Sequence, residues 1–410
     1  MYRVFAQHFY INCFVSFFSV FLMFFIIKYL FFLKKILCII VIEGGNMKKI
    51  GNSFKGILAG IVMIIIGVVL LWWNEGNNVR NLKTTAEMEK TFIDVKSDSI
   101  NPKNEGKLVA TSGKLINDEE LTDEKFDVTV KAPILKRTVE VYQWKEESET
   151  NENDDTVYKY EKEWSEDLID SSEFHKSGHE NPTQKLYDDK TFISENVKVG
   201  AFSLSSDQIK KLSTDGSFND FNQEVIDELE LKIDNKYITN TEDSENPHIG
   251  DVRITFTYND SNEISVLAVQ NGDSFSNFTS SAGKTINRVM DGKHTGKEMI
   301  EAIKSENKFL KWLLRIVGAL LCMLGITAIL GPISTVTSFI PIIGGIVGAA
   351  VGLVSFVLGL CLSLIVIAIA WIRFRPVVGI SLLAIVVLLI VFLIIRGKKN
   401  KENPQQPATK

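Results

Sequence analysis

The chain has 410 residues, 45% hydrophobic and 23% charged, with a mean hydropathy of +0.09, too apolar for two or three ordinary soluble domains. Charge is segregated: residues 74–308 hold 29 Lys and Arg against 48 Asp and Glu, a net of −19, while the rest holds 16 against 2, a net of +14. An acidic, water-loving middle framed by apolar, faintly basic ends excludes a plain soluble enzyme and a basic nucleic-acid binder. Cys13, Cys38, Cys322 and Cys361 all fall in apolar runs, so the middle has neither a disulfide framework nor a cysteine zinc site.

Residues 1–46 form an apolar extension, and the run at 4–27 is by itself long enough to span a membrane. The stretch Glu43-Gly44-Gly45-Asn46 before Met47 can be encoded with a GGAGG ribosome-binding sequence, so the expected start is Met47 in a prokaryotic source. A fifth helix or a signal segment is the alternative. Residues 47–55 are then a cytoplasmic flank carrying Lys48, Lys49 and Lys55. Residues 56–73 run without a charge and end on Trp72-Trp73, which predicts a transmembrane helix with an aromatic interface anchor. The positive-inside rule puts the flank in the cytoplasm and the acidic middle, residues 74–309, across the membrane.

Residues 316–372 are 57 residues without a charged side chain, enough for two helices. The expected boundaries are a span at 310–331, a hydrophobic connection at 332–345 opened by Gly331-Pro332, and a span at 346–372. A last span is expected at 376–395, closed by the basic tail at 396–410. Arg373 and Arg375 then fall on the outer side, against the charge rule, to meet lipid headgroups or acidic residues. Arg315, one turn into the second span, is expected to snorkel to the interface. Gly56, Gly60 and Gly67, and Gly344, Gly348 and Gly352, have the spacing that lets helices approach closely.

In the middle, alternating apolar and polar residues at 107–115, 136–144, 157–164, 195–204, 251–258 and 263–272 predict strands with one buried face. The stretch from Tyr258 to Glu263 is expected to close a hairpin, and the acidic 146–155 loop another. Ser205 or Ser206, Asn219-Asp220 and Thr295 are expected to open helices. His175 and His179, four apart beside Glu173 and Glu180, are the weak metal candidates, although Ser177-Gly178 and Asn181-Pro182 predict a turn there. No phosphate loop, nucleophile elbow or dinucleotide fingerprint occurs, and the spans lack the acids of an ion-coupled carrier.

The ordered residues Asn74-Glu75-Gly76, Asn104-Glu105-Gly106, Tyr142 and Trp144 of VEVYQW, Trp164, His179 with Asn181-Pro182, Gly250-Asp251 with Arg253, Trp312 with Arg315, and Arg375-Pro376 resemble the transmembrane protein 43 (LUMA) family over residues 47–395. The resemblance implies four spans with both termini cytoplasmic or nucleoplasmic and a large domain on the other side. It also implies a role in organising membranes at the endoplasmic reticulum and inner nuclear membrane of animals, through self-association and membrane-protein partners. No catalytic residues are assigned to that family. Asn104-Glu105-Gly106 is read as a turn into a strand with Gly106 at positive φ, and Tyr142, Trp144 and Trp164 as core, with an exposed aromatic contact as the alternative.

The expected fold is a multi-pass α-helical membrane protein with a large β-rich α+β extracytoplasmic domain inserted between the first two spans. The expected function is a non-enzymatic scaffold in the cytoplasmic membrane. It needs no cofactor and no nucleic acid, and its partners are the lipid bilayer, further copies of itself and other membrane proteins. An envelope hydrolase or lipid-modifying enzyme built on His175 and His179, and a channel or lipid-handling protein built on the last spans, are the alternatives.

Overall fold

A computed structural model describes residues 47–150, 156–337 and 341–377. The expectations for residues 1–46, for the span at 376–395 beyond Val377 and for the tail at 396–410 lie outside the described residues. The described chain separates into two compact units: Arg80–Glu306, and the flanking segments that end at Val79 and resume at Asn307.

Helix α1 is Met47–Thr91. Strands follow: β1 (Ile93–Lys96), β2 (Leu108–Ile116), β3 (Leu121–Asp123), β4 (Val128–Val130), β5 (Ile134–Thr150), β6 (Thr156–Ser165), β7 (Lys190–Ile193), β8 (Lys198–Val199) and β9 (Phe202–Ser203). After helix α2 (Ser206–Ile209) comes β10 (Gly216–Ser217). After helix α3 (Gln223–Glu228) come β11 (Lys232–Asp234), β12 (Tyr237–Thr239), β13 (Val252–Tyr258), β14 (Glu263–Asn271), β15 (Ser274–Ser276), β16 (Phe278–Thr279), β17 (Thr285–Ile286) and β18 (Arg288–Asp291). The long helices α4 (Gly296–Thr337) and α5 (Pro341–Phe374) end the described chain.

Among the described residues three helices are long and apolar enough to cross a membrane, over Gly56–Thr91, Gly296–Pro332 and Val347–Phe374, and the β-rich region lies between the first and second. Two expected boundaries move. Helix α1 continues through Asn74-Glu75-Gly76 to Thr91, and α4 runs through Gly331 and Pro332 to Thr337, with α5 beginning at Pro341. A proline removes one N–H from an apolar helix, a defect that neighbouring helices can absorb, so Pro332 sits inside α4 rather than ending it.

Within the helical unit, α1 and α4 run antiparallel in one register. Cβ atoms added at Gly60 and Gly67 would stand 2.5 Å from the Gly325 carbonyl oxygen and 2.9 Å from the Gly318 oxygen. Seven residues further on, the Asn74 side chain donates to the Lys311 carbonyl at 3.0 Å. The repeat of seven keeps one seam facing its partner, with glycines allowing the backbones to touch. Helix α5 packs on α4 where Gly359 meets the Met323 backbone. Among the described residues, Gly348 and Gly352 have no neighbour within 4 Å of an added Cβ. Gly344 lies outside the residues whose packing is described.

The other unit holds two seven-stranded sheets. One runs β15-β14-β2-β8-β9, with β1 parallel on β2 and β18 on β14; the other runs β11-β12-β13-β5-β6, with β10 on β13 and β7 on β5. In the first, Val109, Ile264, Val266 and Ala268 face a core with Phe202, Ile209 and Phe275. Leu108, Ala110 and Leu267 on its opposite face bury Met88 of α1 and Met299, Ile300 and Ile303 of α4. In the second, Val139, Val141, Val252, Ile254, Phe256 and Ile238 close over Phe126 and Ile226.

The 258–263 stretch is therefore no hairpin: β13 and β14 belong to different sheets and different cores, and the chain crosses between them. There Asn259 donates to the Ser213 carbonyl at 2.8 Å and to Asp291 at 2.7 Å. The second expected hairpin is present, with β5 and β6 in continuous antiparallel register from Val141↔Ser165 to Thr150↔Thr156. The strand expected at 195–204 folds back on itself as β8 and β9, because Gly200 at φ +59 turns the chain where an added Cβ would strike the Ser97 carbonyl. Ser205 opens α2 through a capping box with Gln208. Asn222, not Asn219, caps α3. Thr295 caps α4 by a reciprocal pair with Glu298, whose carboxylate accepts from the Thr295 N–H at 2.8 Å.

Candidate functional site

Most of the residues singled out in the sequence collect in two places, one in each unit. Alternation along β5 turns Val139 and Val141 into the core and sets Glu140, Tyr142, Trp144 and Glu146 on the opposite face. Register then places Trp164, Lys162 and Tyr160 of β6 across from Tyr142, Trp144 and Glu146, and Arg253 of β13 across from Glu140. Arg253 pairs with Glu140 through two N–H groups, one at 2.9 Å, and its guanidinium lies 4.7 Å from the Trp164 ring centre and 5.4 Å from Tyr237. Tyr142 leans on Trp164 at 5.2 Å. These aromatics are half-buried on a sheet face rather than in the core. Alternation, the signal that found the strand, assigns them to the face away from Val139 and Val141.

The segment after β6 folds across this face and finishes the sheet. Beyond Val141 the ladder to β13 runs out. Tyr142 still pairs, its N–H donating to Asp251 at 2.8 Å while Gly250, at φ +96, donates back at 2.9 Å. At Trp144 the side chain of Asn181 takes over, accepting from the Trp144 N–H at 2.7 Å and donating to its carbonyl at 2.8 Å. Pro182 is the nearest neighbour of Gly250. Asn181, Gly250 and Asp251 thus satisfy backbone that would otherwise be orphaned.

His179 and His175 lie in this covering segment, in the turn expected from Gly178, which has φ +89. Each imidazole stacks on a tyrosine of β6: His179 on Tyr160 with centres 3.7 Å apart, His175 on Tyr158 at 4.0 Å. His179 also meets Trp144 edge-on at 4.7 Å, and its Nδ1 is buried without a hydrogen-bond partner. Glu146 accepts from the Tyr160 hydroxyl and from the His175 N–H at 2.6 Å. The Tyr160 bond, with the His175 N–H, holds the Glu146 carboxyl below its ordinary range. Burial, reinforced by that carboxylate, pushes the Tyr160 hydroxyl up. Among the described residues no three His, Cys, Asp or Glu side chains are grouped to hold a metal. The arrangement is an aromatic, charged sheet face with two stacked imidazoles.

The second place is in the helical unit. Glu75 is 1% exposed and receives two donors: Arg315 Nε of α4 at 2.6 Å and Trp371 Nε1 of α5 at 2.8 Å. Arg315, 13% exposed, lies 4.9 Å from the Trp312 ring centre and 5.8 Å from Trp371. One carboxylate therefore joins three helices, and the snorkelling expected of Arg315 is replaced by a buried pair. Gly76 leaves room for Phe374, whose ring would lie 2.8 Å from an added Cβ; Phe374 also packs on Trp72 at 5.5 Å. Nearby Asn77 Oδ1 and Asn78 Nδ2 are buried and unpartnered.

The turn at Asn104-Glu105-Gly106 forms as expected. Gly106, at φ +73, donates to the Gln270 carbonyl at 3.0 Å, and Glu105 accepts from the Gly272 N–H at 2.9 Å, which ties the turn to the end of β14. Arg375 closes α5 by donating its N–H to the Trp371 carbonyl at 2.7 Å, and Pro376 beyond it is exposed. Sequence reasoning missed Trp371, Phe374, Tyr158, Tyr160, Glu140 and Tyr237. The β6 tyrosines carried a signal, since they alternate with the same period as Trp164. Trp371 carried none, because its partner Glu75 is 296 residues away.

A family model for transmembrane protein 43 matches residues 141–376. The chain is similar to transmembrane protein 43 of Homo sapiens, 26% identical over 374 residues that cover 84% of this chain and 92% of that protein. It is likewise 25% identical to the Rattus norvegicus protein over 82% of this chain and 88% of that one. With the Drosophila melanogaster homolog it shares 26% identity over 80% of this chain and 90% of that protein. No solved structure matches the chain.

Proposed function

This chain belongs to the transmembrane protein 43 family, an integral membrane protein, and from that membership and the charged aromatic sheet face we propose that it is a non-enzymatic membrane scaffold. In this reading translation starts at Met47, the protein is multi-pass, and both ends lie in the cytoplasm. The β-rich unit stands on the far side of the cytoplasmic membrane of a prokaryote, or in the lumen of the endoplasmic reticulum and nuclear envelope in eukaryotic relatives. The helices mediate self-association, and the β-rich unit meets other membrane proteins.

One observation carries the reading: Tyr142, Trp144, Trp164, Tyr237 and Arg253 gather half-buried on one sheet face. Tyr, Trp and Arg are the side chains that dominate the energetics of protein–protein contacts, because each offers a large rigid area with a polar handle. The stacked histidines support the same face, holding the covering segment against β6.

The test is crosslinking with mass spectrometry on native membranes, using a tag after Lys410. Reproducible crosslinks to a second copy or to a membrane protein from residues of β5, β6 and β13, reduced several-fold in Trp164→Ala and Arg253→Ala, support the scaffold. Capture of monomer alone overturns it. A purified protein that holds a metal and releases it in His179→Ala points instead to the hydrolase alternative. An N-terminal peptide beginning upstream of Met47 removes the proposed start.

A further inference from the structure

We propose that the helical unit carries a binding site for an anionic glycerophospholipid headgroup, built by Lys308 and Lys311 of α4 with Arg373 and Arg375 at the end of α5. The chemistry begins with the sequence, where Lys308, Lys311 and Arg315 stand just before the 57-residue uncharged stretch and Arg373 and Arg375 stand just after it. Antiparallel packing of α4 and α5 folds this stretch in half. Gly359 meets Met323, and Trp371 lies under Arg315, so the two basic ends arrive at the same end of the bundle. Positions 308, 311 and 315 share one helix face, and Arg375 falls within the electrostatic surroundings of Lys311 together with Lys308 and Arg315.

Glu75 is the sole carboxylate among the described residues of this unit, and Arg315 and Trp371 occupy both of its oxygens. Among the described residues, then, Lys308, Lys311, Arg373 and Arg375 have no carboxylate partner within ion-pair distance. Lys308 and Arg373 are exposed, and Lys311 and Arg375 half-buried. Lys308, Lys311, Arg315 and Arg375 lie in one electrostatic neighbourhood with Glu75 as the opposing charge, and the net positive charge that remains is offset by an anion supplied from outside. Beside them Phe309 (70% exposed), Trp312 (52%), Leu313 and Ile316 point outward from α4. Such a surface suits acyl chains and a glycerol backbone, with the indole at headgroup depth. A soluble anion satisfies only the charges; a phospholipid satisfies the charges and covers the apolar flank, which is why the occupant is a lipid. Basic pockets between membrane helices hold anionic headgroups by this combination.

The experiment uses the full-length protein in detergent, with native mass spectrometry counting retained phosphatidylglycerol against phosphatidylcholine of the same chain length. Wild type is expected to retain the anionic lipid at least about tenfold better, because basic side chains near the membrane surface favour anionic headgroups. The double variant Lys311→Gln/Arg375→Gln is expected to bring the two lipids within about twofold. Lys293→Gln, which removes an exposed cation of the β-rich unit, is expected to change nothing. Equal retention of both lipids by wild type overturns the proposal, and this holds even where the double variant does not fold. Full displacement of phosphatidylglycerol by millimolar inorganic phosphate overturns the lipid assignment in favour of a free-anion site.

Discussion

Each unit buries an arginine against a carboxylate, yet the two pairs hold different things together. In the β-rich unit Arg137, 8% exposed, pairs with Asp123, 3% exposed, at 2.5 Å. The remaining partners there are backbone: Arg137 Nε donates to the Asp188 carbonyl at 3.0 Å, and Asp123 accepts from the Lys125 N–H at 3.1 Å. That pair fastens loops to a sheet whose strands are already joined by ladders. In the helical unit every partner of Glu75 is a side chain of another helix, and the surface around the bundle is apolar, with Leu58, Val69 and Leu353 each more than 60% exposed. A buried ion pair adds little where hydrogen-bonded backbone already joins the parts; it matters most where helices would otherwise be held by packing alone.

The largest expected effect comes from cutting that tie. Glu75→Ala leaves Arg315 charged and Trp371 without an acceptor, at a cost of about 3–5 kcal/mol. Unfolding in mixed micelles should show it as loss of the helical unit, with the β-rich unit unchanged in near-UV circular dichroism. A cost below 1 kcal/mol would make the pair ornamental. Arg137→Ala should cost a comparable amount, about 3 kcal/mol, in the β-rich unit. There Asp123→Leu/Arg137→Met should restore most of the loss, since backbone ladders keep the sheet in register.

Next comes the glycine seam. Gly325→Val drives a branched side chain into the Gly60 carbonyl, where even a Cβ stands at 2.7 Å, and should cost about 1–3 kcal/mol. Gly348→Val, which meets no neighbour among the described residues, should stay within about 0.5 kcal/mol. Equal effects at the two positions would separate helix contact from glycine spacing. Smaller again is Thr295→Ala, which removes the reciprocal cap of α4 and should cost about 1 kcal/mol, read from the melting of the β-rich unit.

The smallest contrast is one of pH. Burial raises the Asp291 carboxyl, but hydrogen bonds from the Ser213 N–H and from the Asn259 and Ser261 side chains outweigh it and hold the group below its ordinary 3.8. The native state therefore gains from the carboxylate above that value and loses the gain as pH falls through the depressed one. Asp291→Asn should flatten the acid limb of the β-rich unit's unfolding curve below about pH 4. A limb as steep as that of the wild type removes Asp291 from the account.

How far these features could be read in advance depends on the range of the interaction. Alternation at Val139 and Val141 announced β5 and its buried face, because each strand carries that record in its own residues. It could not say which strands pair, so the Tyr258–Glu263 connection looked like a hairpin although Phe256 and Ile264 fill different cores. Glycine spacing exposed the seam at Gly60 and Gly67 but could not name its partners, Gly325 and Gly318 of α4, since spacing does not report what packs against it. Glu75 and Arg315 each stand out singly in the sequence, as a span boundary and a snorkelling cation. Their bond joins positions 240 residues apart, beyond any local pattern.

The order of strands has a consequence in time. Strand β2 ends at Ile116 and its neighbour β14 begins at Glu263, so about 150 residues must leave the ribosome before that sheet can close. At roughly 5–20 residues per second the wait is on the order of 10–30 s. Until then Val109 and Ala110 keep only their parallel neighbour β1, while β5 and β6, joined by a short connection, pair as soon as they emerge. Anything that shields an unfinished β2 edge during synthesis would act in that interval, and a substitution that slows β14 would prolong the exposure without altering the finished protein.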